Sequence, residues 1–230
     1  MELGKVTKTE KKRRYDDACA ATHAMDIFGE RWALPVMREL MLGPRRFGEL
    51  KASINGISAN VLTQRLEGLE AAGVVHRHKL PPPASVQVYE LTRWGYEAGP
   101  IFQAMGRWAV RSPQHDPSRP FSPVSLMLSF RTMMDMKRAQ GLDAVIAFRI
   151  GEDRFTLTIA GGQVSLGRGE PARADLIFIG PSSALAAAAY GDQPIEALEQ
   201  LGALTLEGDR ALAEHFLSLF SLPPKAGLDG

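Results

Sequence analysis

The segment from Ser58 to Gly73 restricts the fold more than any other part of this chain. At about 100° per residue, Leu62, Leu66 and Leu69 fall within one narrow wedge of a helical wheel. Asn60, Gln64 and Glu67 lie almost opposite, with Thr63 on the flank. Ser58 offers an acceptor at the N-cap, and Gly73 stands where a helix would end. The spacing therefore predicts a helix over about 58–72 with one stripe that packs and one that faces outward. Two runs with strand character come next, Val74 to Leu80 and Val86 to Thr92, separated by Pro81-Pro82-Pro83-Ala84-Ser85.

Upstream, Ala20, Ala24, Ile27 and Phe28 recur at helical spacing within Asp16 to Phe28. A second helix, Arg31 to Leu42, carries Trp32, Val36, Leu40 and Met41, and Gly43-Pro44 stops it. Pro35 falls near its first turn, where a missing N–H costs least. A short helix over Phe47 to Ser53 precedes the turn Asn55-Gly56. Helices followed by a two-stranded hairpin are the order of a winged helix-turn-helix. A further helix running to about Arg111 places Trp94, Ala98, Ile101, Phe102, Met105 and Trp108 largely on one face, with Pro100 placed to kink it. So much apolar surface wants a partner, and together with the first helix it is expected to form a homodimer.

Charge divides the chain where composition does. The stretch Ser112 to Pro120 is rich in Pro, Ser and Asp and has the character of a linker. Residues 1–120 hold 18 Lys and Arg against 13 Asp and Glu, net +5, whereas residues 121–230 hold 9 against 13, net −4. A basic half joined to an acidic half is expected if only the first meets a polyanion. After the linker, Ser125 to Gln140 forms a Met-rich helix, with strands at about Ala144 to Ile150, Arg154 to Ala160, Gln163 to Gly167 and Ala174 to Ile179. Helices resume at about Ser182 to Tyr190, Ile195 to Leu201 and Asp209 to Leu219, so this half is α+β. The expected division is a basic arm (1–15), a winged helix-turn-helix domain (16–111), a linker (112–120), an α+β domain (121–222) and a tail (223–230).

The residues of the first half carry a family resemblance. Cys19-x5-Met25-Asp26-Ile27-Phe28-Gly29-x2-Trp32, Gly43-x2-Arg46-Phe47-x-Glu49-Leu50, Gly56-Ile57-Ser58-x3-Leu62-x2-Arg65-Leu66-x2-Leu69-x3-Gly73-Val74-Val75-x-Arg77 and Val88-Tyr89-x-Leu91-Thr92-x2-Gly95 resemble the HxlR-type winged-helix regulators. The resemblance covers about residues 16–111 and implies a dimeric DNA-binding repressor or activator. Two departures stand out: Ala20 follows Cys19 where the family usually has proline, and the C-terminal half lies outside the family's single-domain plan. In that half, Leu157-x-Ile159-x2-Gly162, Ala174-Asp175-x-Ile177-Phe178, Gly191 and Leu206-Glu207-Gly208-Asp209-x-Ala211-Leu212 resemble the sterol carrier protein-2 domain over about residues 121–222. That resemblance implies either a pocket for an apolar molecule or an assembly module. The expected fold class is thus α+β, a winged helix-turn-helix domain followed by a sterol carrier protein-2-like domain.

A helix in the major groove reads base edges with short polar side chains near its N-terminus, and Asn or Gln bonds bidentately to adenine. Asn60, Thr63 and Gln64, with Ser58 at the cap, are the base-reading candidates; the alternative is a merely solvated helix face. Arg65 either contacts phosphate or pairs with Glu49 or Glu70. Arg45 and Arg46 are candidate phosphate clamps, and Arg77 and Lys79 share one face of a basic wing. His76 and His78 alternate onto the other face, where a metal would need a third ligand that the local sequence does not offer; no metal and no cofactor is expected. Lys11-Lys12-Arg13-Arg14 is either a solvated arm or a minor-groove arm. In the Met-rich half, Met127, Phe130, Met133, Met134, Phe148 and Phe178 are candidates to line an effector pocket, the alternative being ordinary core.

Cys19, the sole cysteine, excludes an intramolecular disulfide and stands near a helix start, where the macrodipole can lower a thiol's pKa. Some members of the resembled family sense oxidants or electrophiles with a cysteine at this position; otherwise it is a small packing residue. No window reaches the about 18–20 consecutive apolar residues of a membrane span, and the charged N-terminus lacks a signal-peptide core, so a cytoplasmic protein without membrane contact is expected. No nucleophile–base pair, phosphate loop or paired carboxylates stand out, so an enzyme is not expected. The leading expectation is a dimeric regulator of double-stranded DNA that responds to a small apolar effector. The alternatives are a redox or electrophile sensor acting through Cys19, and a soluble carrier of apolar ligands whose winged helix serves protein contacts.

Overall fold

The computed structural model describes residues 15–227. Its first four helices are α1 (Ala20–Phe28), α2 (Ala33–Leu40), α3 (Phe47–Ser53) and α4 (Ala59–Ala71). Their starts and stops have local causes. The Glu49 carboxylate accepts from the Arg46 N–H at 2.8 Å at the head of α3, and Ser58 Oγ accepts from the Val61 N–H at 3.3 Å at the head of α4. Gly73, at φ +74°, ends α4 in the left-handed region that glycine adopts without strain.

The hairpin is formed by β1 (Val75–Lys79) and β2 (Gln87–Leu91), antiparallel, with Val75 opposite Leu91, His76 opposite Glu90 and Arg77 opposite Tyr89. Leu62, Leu66 and Leu69 of α4 pack with Val75 and Leu91 of the wing and with Val36, Met37 and Leu40 of α2 in one buried cluster. Thr92 ties the end of α4 to the helix after the wing: its hydroxyl donates to the Gly73 carbonyl at 2.8 Å and accepts from the Gly95 N–H at 3.0 Å. A Cβ at Gly95 would run into the Val74 carbonyl, which accounts for glycine there. The predicted long helix is two, α5 (Arg93–Glu97) and α6 (Gly99–Ala109). Pro100 does not kink a helix but opens one, at its N-terminal turn.

The C-terminal half begins with α7 (Pro123–Met133), then β3 (Ala144–Ile150), β4 (Asp153–Ala160), β5 (Gln163–Arg168), β6 (Leu176–Ile179), α8 (Ser182–Tyr190), α9 (Ile195–Gln200), β7 (Thr205–Gly208) and α10 (Arg210–Ser218). The sheet order is β5-β4-β3-β6-β7. It departs from a simple succession of neighbouring strands in two ways. β6 returns to pair parallel with β3, and β7 adds an antiparallel edge strand that the sequence pattern does not reveal. The Met-rich helix is also shorter than expected. At Met134 the chain turns extended to bridge Phe220, the Asp135 N–H donates to the Leu219 carbonyl at 2.8 Å, and the Asp135 carboxylate accepts from the Lys137 N–H at 2.9 Å.

The two halves share an interior. Leu42, just past α2, belongs to the core of the C-terminal half, and Leu128 of α7 packs against both cores. Glu39 of α2 is fully buried; its carboxylate accepts from Ser122 Oγ at 2.7 Å and pairs with Arg38 at 2.9 Å. The Arg107 Nε donates to the Thr132 carbonyl at 2.9 Å, joining α6 to α7. The segment after α10 folds back onto the chain just past α6, with Lys225 Nζ donating to the carbonyls of Val110 and Ser112 and the Ala226 N–H to that of Arg111. No helix among the described residues is long and apolar enough to cross a membrane.

Candidate nucleic-acid interface

The outward stripe of α4 is built as its periodicity requires. Asn60, Thr63 and Gln64 are exposed, while Leu62, Leu66 and Leu69 are buried beneath them. Ser58 is exposed at the cap. On the hairpin, strand alternation leaves Arg77 and Lys79 exposed on the register that also carries Val75, and Arg46 is exposed at the start of α3. A helix with short polar side chains beside a basic hairpin has the chemistry to meet base edges with one and phosphates with the other.

Two of the arginines are engaged elsewhere. Arg45, expected at the phosphates, has a side chain only 11% exposed and donates through Nη1 to Asp153 Oδ1 at 2.9 Å and through Nη2 to Ser53 Oγ at 3.2 Å. Asp153 opens β4, so the ion pair crosses between the halves, and Arg168 of β5 closes on the same oxygen at 2.6 Å. Burial and the neighbouring Arg45 charge hold the Arg168 guanidinium below its ordinary pKa. Arg45 is therefore removed from the phosphate-contact set. Arg65 pairs with Glu30 at 2.9 Å, so its partner is neither Glu49 nor Glu70. The Lys11 to Arg14 cluster lies outside the described residues.

Five of the six pocket candidates, all but Met133, occupy the core itself. Met127, Phe130, Phe148 and Phe178 are fully buried, Met134 nearly so and Met133 half-buried. The Phe130 ring stands 4.6 Å from that of Phe220, 5.7 Å from Phe148 and 6.0 Å from Phe216, and Phe148 stacks on Phe178 at 5.6 Å. Rings in mutual contact fill space rather than line it, so the five act as packing in this structure, the alternative of ordinary core. An open cavity of about 170 Å³ lies instead between the halves, lined by Met41, Tyr96, Gly99, Pro100, Gln103 and Arg131.

Cys19 is exposed and occupies the N-cap of α1. Its thiol makes no formed capping hydrogen bond, yet the amides of Thr22 and Ala21 and the Thr22 side chain favour the thiolate and draw its pKa below the ordinary thiol value. On the wing, the local sequence offers no third donor beside His76 and His78; the structure supplies it from the paired strand, as Glu90. Glu90 accordingly stands beside both histidines and is hydrogen-bonded to His78 Nε2 at 2.8 Å. Tyr96 carries no sequence signal that would tie it to this site: its hydroxyl donates to Glu90 Oε1 at 3.3 Å, and burial together with the Glu90 charge pushes its pKa up to about 12.

The HxlR-like helix-turn-helix family model matches residues 27–116, and that of the SCP-2 sterol transfer family matches residues 128–221. The chain is similar to the HTH-type transcriptional regulator YvaP of Bacillus subtilis, 36% identical over 87 residues that cover 38% of this chain and 81% of YvaP. It is similar also to the HTH-type transcriptional regulator YodB of the same organism, 37% identical over 86 residues, 37% of this chain and 77% of YodB. A solved structure of the reduced form of YodB matches at 33% identity over 44% of this chain and 100% of that one, with a TM-score of 0.39. With four-fifths of a relative's length aligned above 30% identity and the wing and helix in place, the chain belongs to the HxlR-like helix-turn-helix family of transcriptional regulators and carries a C-terminal domain of the SCP-2 sterol transfer family.

Proposed function

We propose that this protein binds a palindromic operator as a homodimer, reads bases with Asn60, Thr63 and Gln64, contacts phosphates through Arg46, Arg77 and Lys79, and responds to a small apolar effector through its C-terminal half. The observation that carries the reading is the exposed polar stripe of α4 beside the exposed basic register of the wing. The dimer rests on exposed apolar surface: Trp108 is 78% exposed, Ile101 and Met105 are exposed on the same helix, and Trp94 on α5 and Met25 on α1 are exposed as well. Phe28 of α1 and Phe102 of α6, both packed on the N-terminal core, meet edge to face at 6.0 Å and hold the two helices side by side. An effector that prefers one arrangement of the halves would act through the contacts they share and change the separation of the two recognition helices from the roughly 34–36 Å that successive major grooves demand.

Replacing Asn60 or Gln64 with Ala is expected to cost about 1–3 kcal/mol each at a selected operator and little on random DNA. Replacing Arg77 and Lys79 instead weakens binding on every sequence and flattens the dependence of log affinity on log salt, by about one unit of slope for each phosphate no longer neutralised. Fluorescence anisotropy with both DNAs across a salt series checks this, and equal losses of the α4 variants on random DNA would reject base reading.

Regulation through oxidants or electrophiles is the second reading, favoured by an exposed thiol whose pKa is lowered by the head of α1. Peroxide or a quinone is then expected to release the wild-type protein from DNA while Cys19→Ser stays bound. A response that persists in the serine variant assigns the sensing elsewhere.

A further inference from the structure

From the convergence of His76, His78 and Glu90 on one face of the hairpin, we infer that the wing holds a divalent transition-metal ion. The site is made by strand pairing. His76 and His78 are two residues apart on β1 and so share a face, and the antiparallel register sets Glu90 of β2 directly opposite His76. The Nε2 atoms of both histidines turn toward the same carboxylate oxygen, Glu90 Oε2, at 2.8 Å from His78 and 3.7 Å from His76. The imidazoles stack at 4.8 Å with planes 18° apart, which brings two ligand nitrogens side by side.

One donor atom from each residue lies within 4.8 Å of the others. Donors bound tetrahedrally to a single ion at about 2.0–2.2 Å stand about 3.3–3.6 Å apart, so the widest pair must draw in by about 1 Å, a movement that side-chain rotation of a part-exposed imidazole supplies. His78 hydrogen-bonds Glu90 Oε2 at 2.8 Å, whereas His76 at 3.7 Å turns toward the same oxygen without a hydrogen bond to it. The other carboxylate oxygen accepts from the Tyr96 hydroxyl at 3.3 Å, the outer support that ligating carboxylates usually have. Alternation keeps Arg77 and Lys79 on the opposite face, so no cation of the same strand occupies the ligand side. Two imidazoles and a carboxylate suit zinc, nickel, copper or cobalt rather than magnesium or calcium, and three protein ligands on a part-exposed surface leave room for water. Since the ligands come from both strands, a bound ion cross-links the hairpin.

The test is a titration of the untagged full-length protein with cobalt(II) and then zinc, followed by calorimetry and by the visible absorption of cobalt. One ion per chain is expected, with zinc displacing cobalt. Glu90→Gln keeps an acceptor for Tyr96 but removes the ligand charge, and should weaken binding by more than about 100-fold; Tyr96→Phe should weaken it by about 10-fold. His76→Gln, at a half-exposed position, should match Glu90→Gln and keeps the test decisive should that variant fold poorly. Absence of stoichiometric binding to the wild type, or wild-type binding in Glu90→Gln or His76→Gln, overturns the assignment.

Discussion

Replacing Phe130 with Ala is expected to remove about 3–5 kcal/mol from the stability of the chain, the range for truncating a fully packed aromatic side chain. Phe130 is wholly buried, and its ring has Phe148, Phe216, Phe220 and Tyr190 around it within about 6 Å. Rings on so many sides leave little room for a void, so its deletion forfeits both the transfer energy of the ring and the dispersion attraction of its neighbours. Urea unfolding of the two proteins measures the difference. The same experiment separates core from pocket: a residue lining a pre-formed apolar pocket already lacks packing on one side, and a loss below about 1 kcal/mol would restore Phe130 to the effector-site candidates. The cavity left by the substitution is apolar, and a benzene-sized ligand should stabilise the variant and not the wild type.

The second large effect is expected at the joint between the halves, where Asp153→Ala should cost about 3 kcal/mol. Asp153 Oδ1 is the common acceptor for Arg45 and Arg168, and all three side chains are at most 20% exposed. Its removal leaves two poorly solvated guanidiniums facing each other, in addition to breaking two charge-assisted hydrogen bonds. An exposed pair would give less than about 1 kcal/mol, so a loss of that size would mean the joint is wetter and looser than its geometry implies. The double variant Asp153→Ala with Arg45→Met should recover part of the loss, because one orphaned charge disappears with it; a strictly additive cycle would contradict the coupling.

The legibility of the fold in the sequence tracks the range of the interactions involved. α4, its cap and the two wing strands are readable because period, capping and turn residues act over a few positions; Leu62, Leu66 and Leu69 require no knowledge of what they pack on. The end of α7 is not readable, since Met134 leaves the helix to bridge the distant Phe220. β7 is a four-residue edge strand with mostly exposed side chains, so neither alternation nor a hydrophobic run marks it. The site shows the same division. Exposure of Asn60, Thr63 and Gln64 follows from the wheel, but the diversion of Arg45 to Asp153 spans 108 residues of chain. Glu90 can be joined to His76 only by the hairpin register, which the Pro-rich turn does not specify.

The halves of this chain are not interchangeable modules. Leu40 and Leu42, two positions apart, belong to different cores, and the adjacent Glu39 is closed over by Ser122 from beyond the linker. A substitution in this short stretch is judged by both domains at once, so drift accepted by one must be matched by the other. Grafting the DNA-binding half onto a foreign sensor would therefore carry Leu42 and a buried carboxylate into a surface that evolved for neither. A chimera that keeps both cores packed has to retain α2 and the head of α7 together, so the smallest transferable unit runs across the linker rather than ending on either side of it.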